Sequence, residues 1–551
     1  MVHVPRLART LLVTLTLAFP NPLQAAPSPA THADLITFFK AWRAFQKPNL
    51  VNGVPDYSTA AMGAQHRELE VFQARLKTLD PSGWAVPHRV DWHILKAEMN
   101  GLDFDQRVLR PWANNPAFYV TVFWDRSDQP AREGPFADGA VELWSCPFPL
   151  VAKDAAALEI RLKAIPGLMK QAEMNLIGKG RDLWVYGAKA LRAQVDDLAK
   201  LSSRLEGKGA PAYPTLLMAT RAAQTATESL AVWVEARLST KKETSAIGIA
   251  HYNWYLKHVQ LLPHTWQDEV TLMERELARS LALLALEEHR NAKLPLQVPI
   301  ANAEEHARRL PQAVSHYMAF LGAQDIMSLP AYLEPALSAE VGTFTPTPWE
   351  FFTEVDYRDP TVLRTHGYHW FDLARMAYEP HPDPIRRGAL LYNIFDTRTE
   401  GHATGWEEMM LQVGMFDDRP RSRELIYILL AERAARALGA LHMISGEFTL
   451  EEASIFASTH TPRGWLSLKG GLVRGEQHLY LQQPGYGTSY LVGKIQLEKL
   501  MAERREQLGN AFTLKRYMDE FNAAGLIPAS LLRWELTGRM PEDVRRMLAE
   551  P

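Results

Sequence analysis

The sequence predicts an all-α fold, and three observations carry that expectation. Apolar residues recur at three- and four-residue spacing, with charges between them, in segments 153–177, 181–206, 216–239 and 266–292; this is the period of a helix that buries one face. No series of alternating apolar and polar residues marks a set of strands. Proline and glycine break the chain between periodic segments, at "EGKGAPAYP" (206–214), "TFTPTPWE" (343–350) and "EPHPDP" (379–384). The expected architecture is one large multi-helix body with little or no sheet.

Taken in order, the chain opens with Arg6 and Arg9, an apolar run from Leu11 to Phe19 and the small pair Ala25-Ala26. That order reads as a secretory signal over 1–25, cleaved near Ala25/Ala26, and predicts a periplasmic or secreted protein. The run is roughly half of the ~20 residues a membrane-spanning helix needs, so no membrane insertion is expected. No cysteine stands near the predicted cleavage point, which argues against a lipid-anchored start. The remainder, 26–551, reads as a single helical domain with an N-terminal part over about 30–340 and a C-terminal part over about 345–551.

Residues 110–135, "RPWANNPAFYVTVFWDRSDQPAREGP", are dense in aromatics and breakers and read as a long ordered loop. The helix from 266 has Thr265 placed as N-cap and Asp268 three residues on, a capping-box spacing. Cys146 is the only cysteine, so no disulfide forms within the chain and stability rests on burial. With 47% hydrophobic residues in 551, there is ample material for a large core. A net charge of −3 with no dominant sign along the chain speaks against nucleic acid and anionic membranes as partners.

The chemistry candidates lie after residue 360. "RTHGYHWFDLARM" (364–376) sets His366 and His369 one turn apart on an expected helix, about 60° around its axis, so that both rings can reach one point. Glu400 follows the "EPHPDP" break and could complete a two-imidazole, one-carboxylate set, the donors of many hydrolytic zinc sites. The spacing leaves other readings open. The histidines could serve packing, Thr397 to Glu400 fits a capping box, and Glu407 and Glu408 could be solvated charges.

The segments "EGHATGWEEMMLQVGMFDD", "AERAARALGALHM", "FTLEEASIFA", "QQPGYGTSYLVGKI" and "FTLKRYMDEFNAAGLIPASLLRWEL" resemble the bacterial "domain of unknown function 885" family. Weaker likeness runs upstream through "VDWHILKAEM", "RPWANNPAFY" and "IGIAHYNWYLKHV". The family resembles helical zinc metallopeptidases, which implies a central cleft, zinc, and a peptide or other small exported substrate. Glu400-Gly401 and Ala403 match its "EGWA" segment with His402 in place of tryptophan, and Glu407 falls on its second glutamate. Pro484-Gly485, Ser489-Tyr490 and Gly493 match "PG...SY..G", with Glu476 on an acidic position before it.

The chain also departs from that pattern. His366-Gly367-Tyr368-His369 stands where the family has His-Glu-x-x-Pro-Gly-His, so glycine replaces the glutamate that would act as general base. His442 has no aspartate companion, and Leu479 stands where arginine is common. The resemblance thus implies a metallohydrolase with an atypical site, in which His366, His369 and Glu400 bind zinc. Tyr490 would hydrogen-bond an oxyanion, and Glu407 or His402 would substitute as base. The alternative is a peptidase-like scaffold that binds peptides or another exported molecule without turnover.

Overall fold

The structure is a computed structural model and describes residues 1, 30–207, 213–392 and 395–549. Apart from Met1, the expected signal segment and its cleavage point lie outside these residues. The four periodic segments are the helices Ala152–Asn175, Arg181–Leu205, Pro214–Glu235 and Trp266–Arg290. The last begins with the anticipated capping box: the Asp268 amide donates to Thr265 Oγ1 at 3.3 Å, and the Thr265 amide to Asp268 Oδ2 at 2.8 Å. Among the described residues, strands form only two two-stranded ladders. Leu50–Val51 pairs antiparallel with Val54–Pro55, and Val122–Phe123 parallel with Val141–Glu142. No described helix is long and apolar enough to cross a membrane.

One hydrophobic core runs from Leu35 on the first helix to Met547 on the last, so it is built from both ends of the chain. A second, smaller core joins Tyr57 to the three helices between Ala152 and Glu235. Through the main core passes the helix Pro420–Ser445, buried on nearly every side from Glu424 to Ile444. A helix enclosed all round carries no solvent face, so its charged Glu432, Arg433 and Arg436 must find partners inside the protein.

Two local features decide where the chemistry lies. The aromatic loop is ordered, as expected. It holds a short helix at Pro111–Asn114, a 3-10 turn at Pro116–Tyr119 and the strand Val122–Phe123, then runs without regular structure toward the C-terminal half. There the Gly134 amide donates to Gln483 Oε1 at 2.6 Å, and Asn115 Nδ2 to Gln482 Oε1 at 2.9 Å. The histidine pair corrects an expectation: it does not share one helix. Pro360–His366 ends at Gly367, and Tyr368–Tyr378 starts anew. Gly367 has ψ of 12°, which opens the helical turn, and a Cβ there would stand 2.6 Å from Leu337 Cδ1 and 3.1 Å from the Arg364 carbonyl.

Candidate metal centre

The helix Asp396–Gln412 begins after Phe395, which makes no side-chain cap. Glu400 is therefore not engaged in a capping box. It sits at the crossing of this helix with Tyr486–Leu508, where two glycines from the quoted motifs meet. A Cβ on Gly401 would lie 2.3 Å from Gly493 Cα, and one on Gly493 would lie 2.1 Å from the Thr397 carbonyl oxygen. Only hydrogen fits at either position, and the close approach carries Tyr486 onto Glu400, whose Oε1 accepts from the Tyr486 hydroxyl.

The kink at Gly367 brings both imidazoles to the same carboxylate. His369 Nε2 lies 3.3 Å and His366 Nε2 3.9 Å from Glu400 Oε2. The two rings are 5.0 Å apart at 74°. One donor atom from each of the three residues falls within 4.8 Å of the others. His369 and Glu400 are buried, whereas His366 is 20% exposed. Beyond their own 3.3 Å ion pair, His369 Nε2 and Glu400 Oε2 are buried with no other hydrogen-bond partner. Two imidazoles and a carboxylate suit zinc, and at bonds of ~2.1 Å tetrahedral donors stand ~3.4 Å apart, so this set fits after a small approach of His366.

The outer atoms of these side chains are held by other groups. Gln129, from the aromatic loop, donates through Nε2 to Glu400 Oε1 at 2.8 Å; the same nitrogen is 3.4 Å from His369 Nδ1 and 3.2 Å from Asp128 Oδ1. His366 Nδ1 is 3.0 Å from Glu407 Oε1 and 3.2 Å from an Arg433 nitrogen. Arg433 grips both oxygens of Glu407, at 2.7 and 2.8 Å. Partners behind the ligating atom fix ring orientation and carboxylate rotamer at metal sites.

The charges are mutually dependent. Burial opposes a charge on His369, but the Asp128 and Glu400 carboxylates outweigh it and raise the ring to about 9. Burial likewise opposes ionisation of Glu400, and His369, then His366 and the Tyr486 hydroxyl, hold it at about 2. Glu407 is lowered despite its burial, mainly by Arg433.

The other expected residues fare differently. Glu407 is fully buried, with both oxygens held by Arg433 and one of them also 3.0 Å from His366 Nδ1. His402 points away from the three donors into an aromatic enclosure, its ring 4.3 Å from Tyr368, 4.5 Å from Phe521 and 5.4 Å from Trp406. Burial, with Arg398 and Arg375 nearby, keeps it neutral. Tyr490 packs beside Tyr486 at 5.7 Å, with the Arg436 and Arg433 guanidiniums over its ring at 5.2 and 5.7 Å. Glu408 is not a solvated charge: it is buried, 3.0 Å from Lys494 and paired with Arg279.

Sequence reasoning missed Gln129, Tyr486 and Arg433. Tyr486 had a usable signal, since it lies one turn before Tyr490 within the quoted "PGYGTSY". Arg433 had one too, as a charge in a strongly apolar helical run. Gln129 had none, because only folding brings it 271 residues along the chain to Glu400.

With the geometry in hand, likeness to known proteins adds the fold. A candidate lipoprotein of unknown function from Shewanella oneidensis has a similar structure, with TM-score 0.65 and 14% identity over 92% of this chain and 100% of that one. A candidate lipoprotein from Colwellia psychrerythraea is similar at TM-score 0.64 and 13% identity, over 94% of this chain and 99% of that one. Residues 369–536 match the family described as "Bacterial protein of unknown function (DUF885)". That span contains His369, Glu400, Glu407, Tyr486 and Tyr490, while His366 and Gln129 precede it. No curated protein matches the chain.

Proposed function

We propose that this chain is an exported, metal-dependent hydrolase-like protein acting on peptides, with His366, His369 and Glu400 holding zinc. The main support is the convergence of buried His369 Nε2 and Glu400 Oε2, 3.3 Å apart and with no other protein partner, on the accessible His366. Two imidazoles and a carboxylate brought to one buried point are the donor set of many zinc sites. Export rests on the N-terminal sequence pattern and on the description of the similar structures as candidate lipoproteins.

Zinc supplies a Lewis acid that polarises a carbonyl and makes water acidic near neutral pH. Around it, the protein prepares the donors. Glu407, fixed by Arg433, accepts from His366 Nδ1 and so turns Nε2 inward. Gln129 and Tyr486 occupy Glu400 Oε1 and leave Oε2 for the centre. Burial and the nearby Glu400 keep the Tyr490 hydroxyl protonated, as a donor to a developing oxyanion must be.

A second reading, a binding scaffold without turnover, is favoured by the proton acceptors. Gly367 offers none, Glu407 is engaged, and His402 is enclosed. Elemental analysis of wild type, His369→Ala and Glu400→Gln, together with peptide-library hydrolysis, tests both. The proposal expects about one zinc per chain, lost in both variants, and zinc-dependent cleavage by wild type. Zinc without cleavage supports the scaffold. Absence of zinc from wild type refilled with the metal would sink the metal reading and leave His369–Glu400 as a buried ion pair.

A further inference from the structure

Residues from the C-terminal end of the aromatic loop help line a cavity of about 820 Å³, a volume suited to a small molecule. The end of the helix His32–Phe45, one face of Thr59–Lys77, the end of Val86–Phe104, residues between 131 and 138 and Gln482–Pro484 line it. Val86–Phe104 does not stop in the usual way. It passes into a π-helical turn, Asp105–Leu109, closed by the Arg110 amide donating to the Asp105 carbonyl at 2.6 Å. Such turns are uncommon and recur at functional sites. This one presents Asp105 to the cavity.

Asp105 has no hydrogen bond or ion pair among the described residues. It is part-buried in the cavity lining, and burial alone lifts its carboxyl to about 7. Gln46 adds a second acceptor on the same wall, with a buried Oε1 that has no partner. The other carboxylates of the lining are Asp56, Glu68 and Asp138. Against these stand two cations. Lys47 is exposed, and Arg132 donates through Nη2 to the Asp125 carbonyl and lies 4.2 Å over the Phe123 ring, while its Nε is buried without a partner. Phe45, Phe72, Trp112 and Tyr392 supply apolar walls.

The cavity therefore offers two acceptors without protein partners, four carboxylates against two cations, and aromatic faces. Each of these favours a cation that carries apolar surface. We propose that it binds a small organic amine, with the ammonium on Asp105 and Gln46 and the apolar part against the aromatic walls. The inference is independent of the metal reading.

The test uses the full chain at pH 8, with 2-phenylethylamine as probe and 2-phenylethanol as its neutral isostere, read by calorimetry and thermal shift. The expected result is binding of the amine and a raised midpoint, with the alcohol at least tenfold weaker, the ratio for one charge-assisted contact of about 1.5 kcal/mol. Asp105→Asn removes a buried carboxylate, so it should fold, and should weaken the amine about tenfold while leaving the alcohol unchanged. Gln46→Leu should weaken the amine less. Equal binding of amine and alcohol would overturn the proposal, as would amine binding unaffected by Asp105→Asn, or no binding by either probe.

Discussion

Gly493→Ala tests the helix crossing on which the candidate centre depends. The added Cβ would stand 2.1 Å from the Thr397 carbonyl oxygen and 2.7 Å from Gly401 Cα. Both obstacles are backbone atoms of a helix whose flanking residues are buried, so no side-chain rotation relieves them. Restoring an ordinary contact requires the helices to part by ~1 Å, and forced overpacking of this kind costs ~1–3 kcal/mol, here at the upper end because backbone must move. Alanine recovers up to ~1 kcal/mol of helix propensity, leaving a net loss of about 2 kcal/mol. Gly405→Ala is the internal control: in the same helix pair its Cβ would meet Lys494 Cγ at 3.5 Å, an ordinary contact. It should be neutral or mildly stabilising. Urea unfolding followed by circular dichroism compares the variants. The parting should also draw Tyr486 from Glu400, so zinc affinity in Gly493→Ala should fall ~10-fold or more. If Gly493→Ala unfolds at the same urea concentration as Gly405→Ala, the close crossing does not exist as described.

Other substitutions address the charges. Arg433→Ala strands the buried Glu407 and should cost ~3–5 kcal/mol in unfolding experiments, whereas Glu407→Gln should loosen His366 and weaken zinc ~10- to 100-fold by competition titration. Glu408→Gln leaves Lys494 and Arg279 short of a buried partner; a loss of ~1–3 kcal/mol is expected, and an unchanged midpoint would count against the ion pair. Burial lifts Glu269 to about 7 from an ordinary value near 4.5, even though the Tyr252 hydroxyl donates to it. The folded protein thus binds a proton that the unfolded chain releases, so this contribution to stability is full below about 4.5 and lost as pH rises through about 7. Glu269→Gln should therefore match wild type at low pH and exceed it by up to ~3 kcal/mol at pH 8, and a stability gap that does not widen with pH would exclude this.

The helical class, the four long helices and the Thr265 cap could be read from the sequence because each depends on residues within a few turns of one another. His366, His369 and Glu400 could be nominated for a similar reason: a 3-residue spacing and a nearby break permit a shared point. What the sequence could not supply was how that point is reached. A continuous helix was expected, and the rings converge instead through the opening at Gly367, where Leu337 crowds the space a side chain would need. Burial was equally out of reach, since Glu407 and Glu408 carry the same side chain at adjacent positions. One faces Arg433 on the enclosed helix and the other Lys494 and Arg279, so their roles follow from what crosses them rather than from local pattern. Gln129 is the clearest case. No local period relates a loop residue to a glutamate 271 positions later, and only the burial of one core shared by both ends of the chain makes them neighbours.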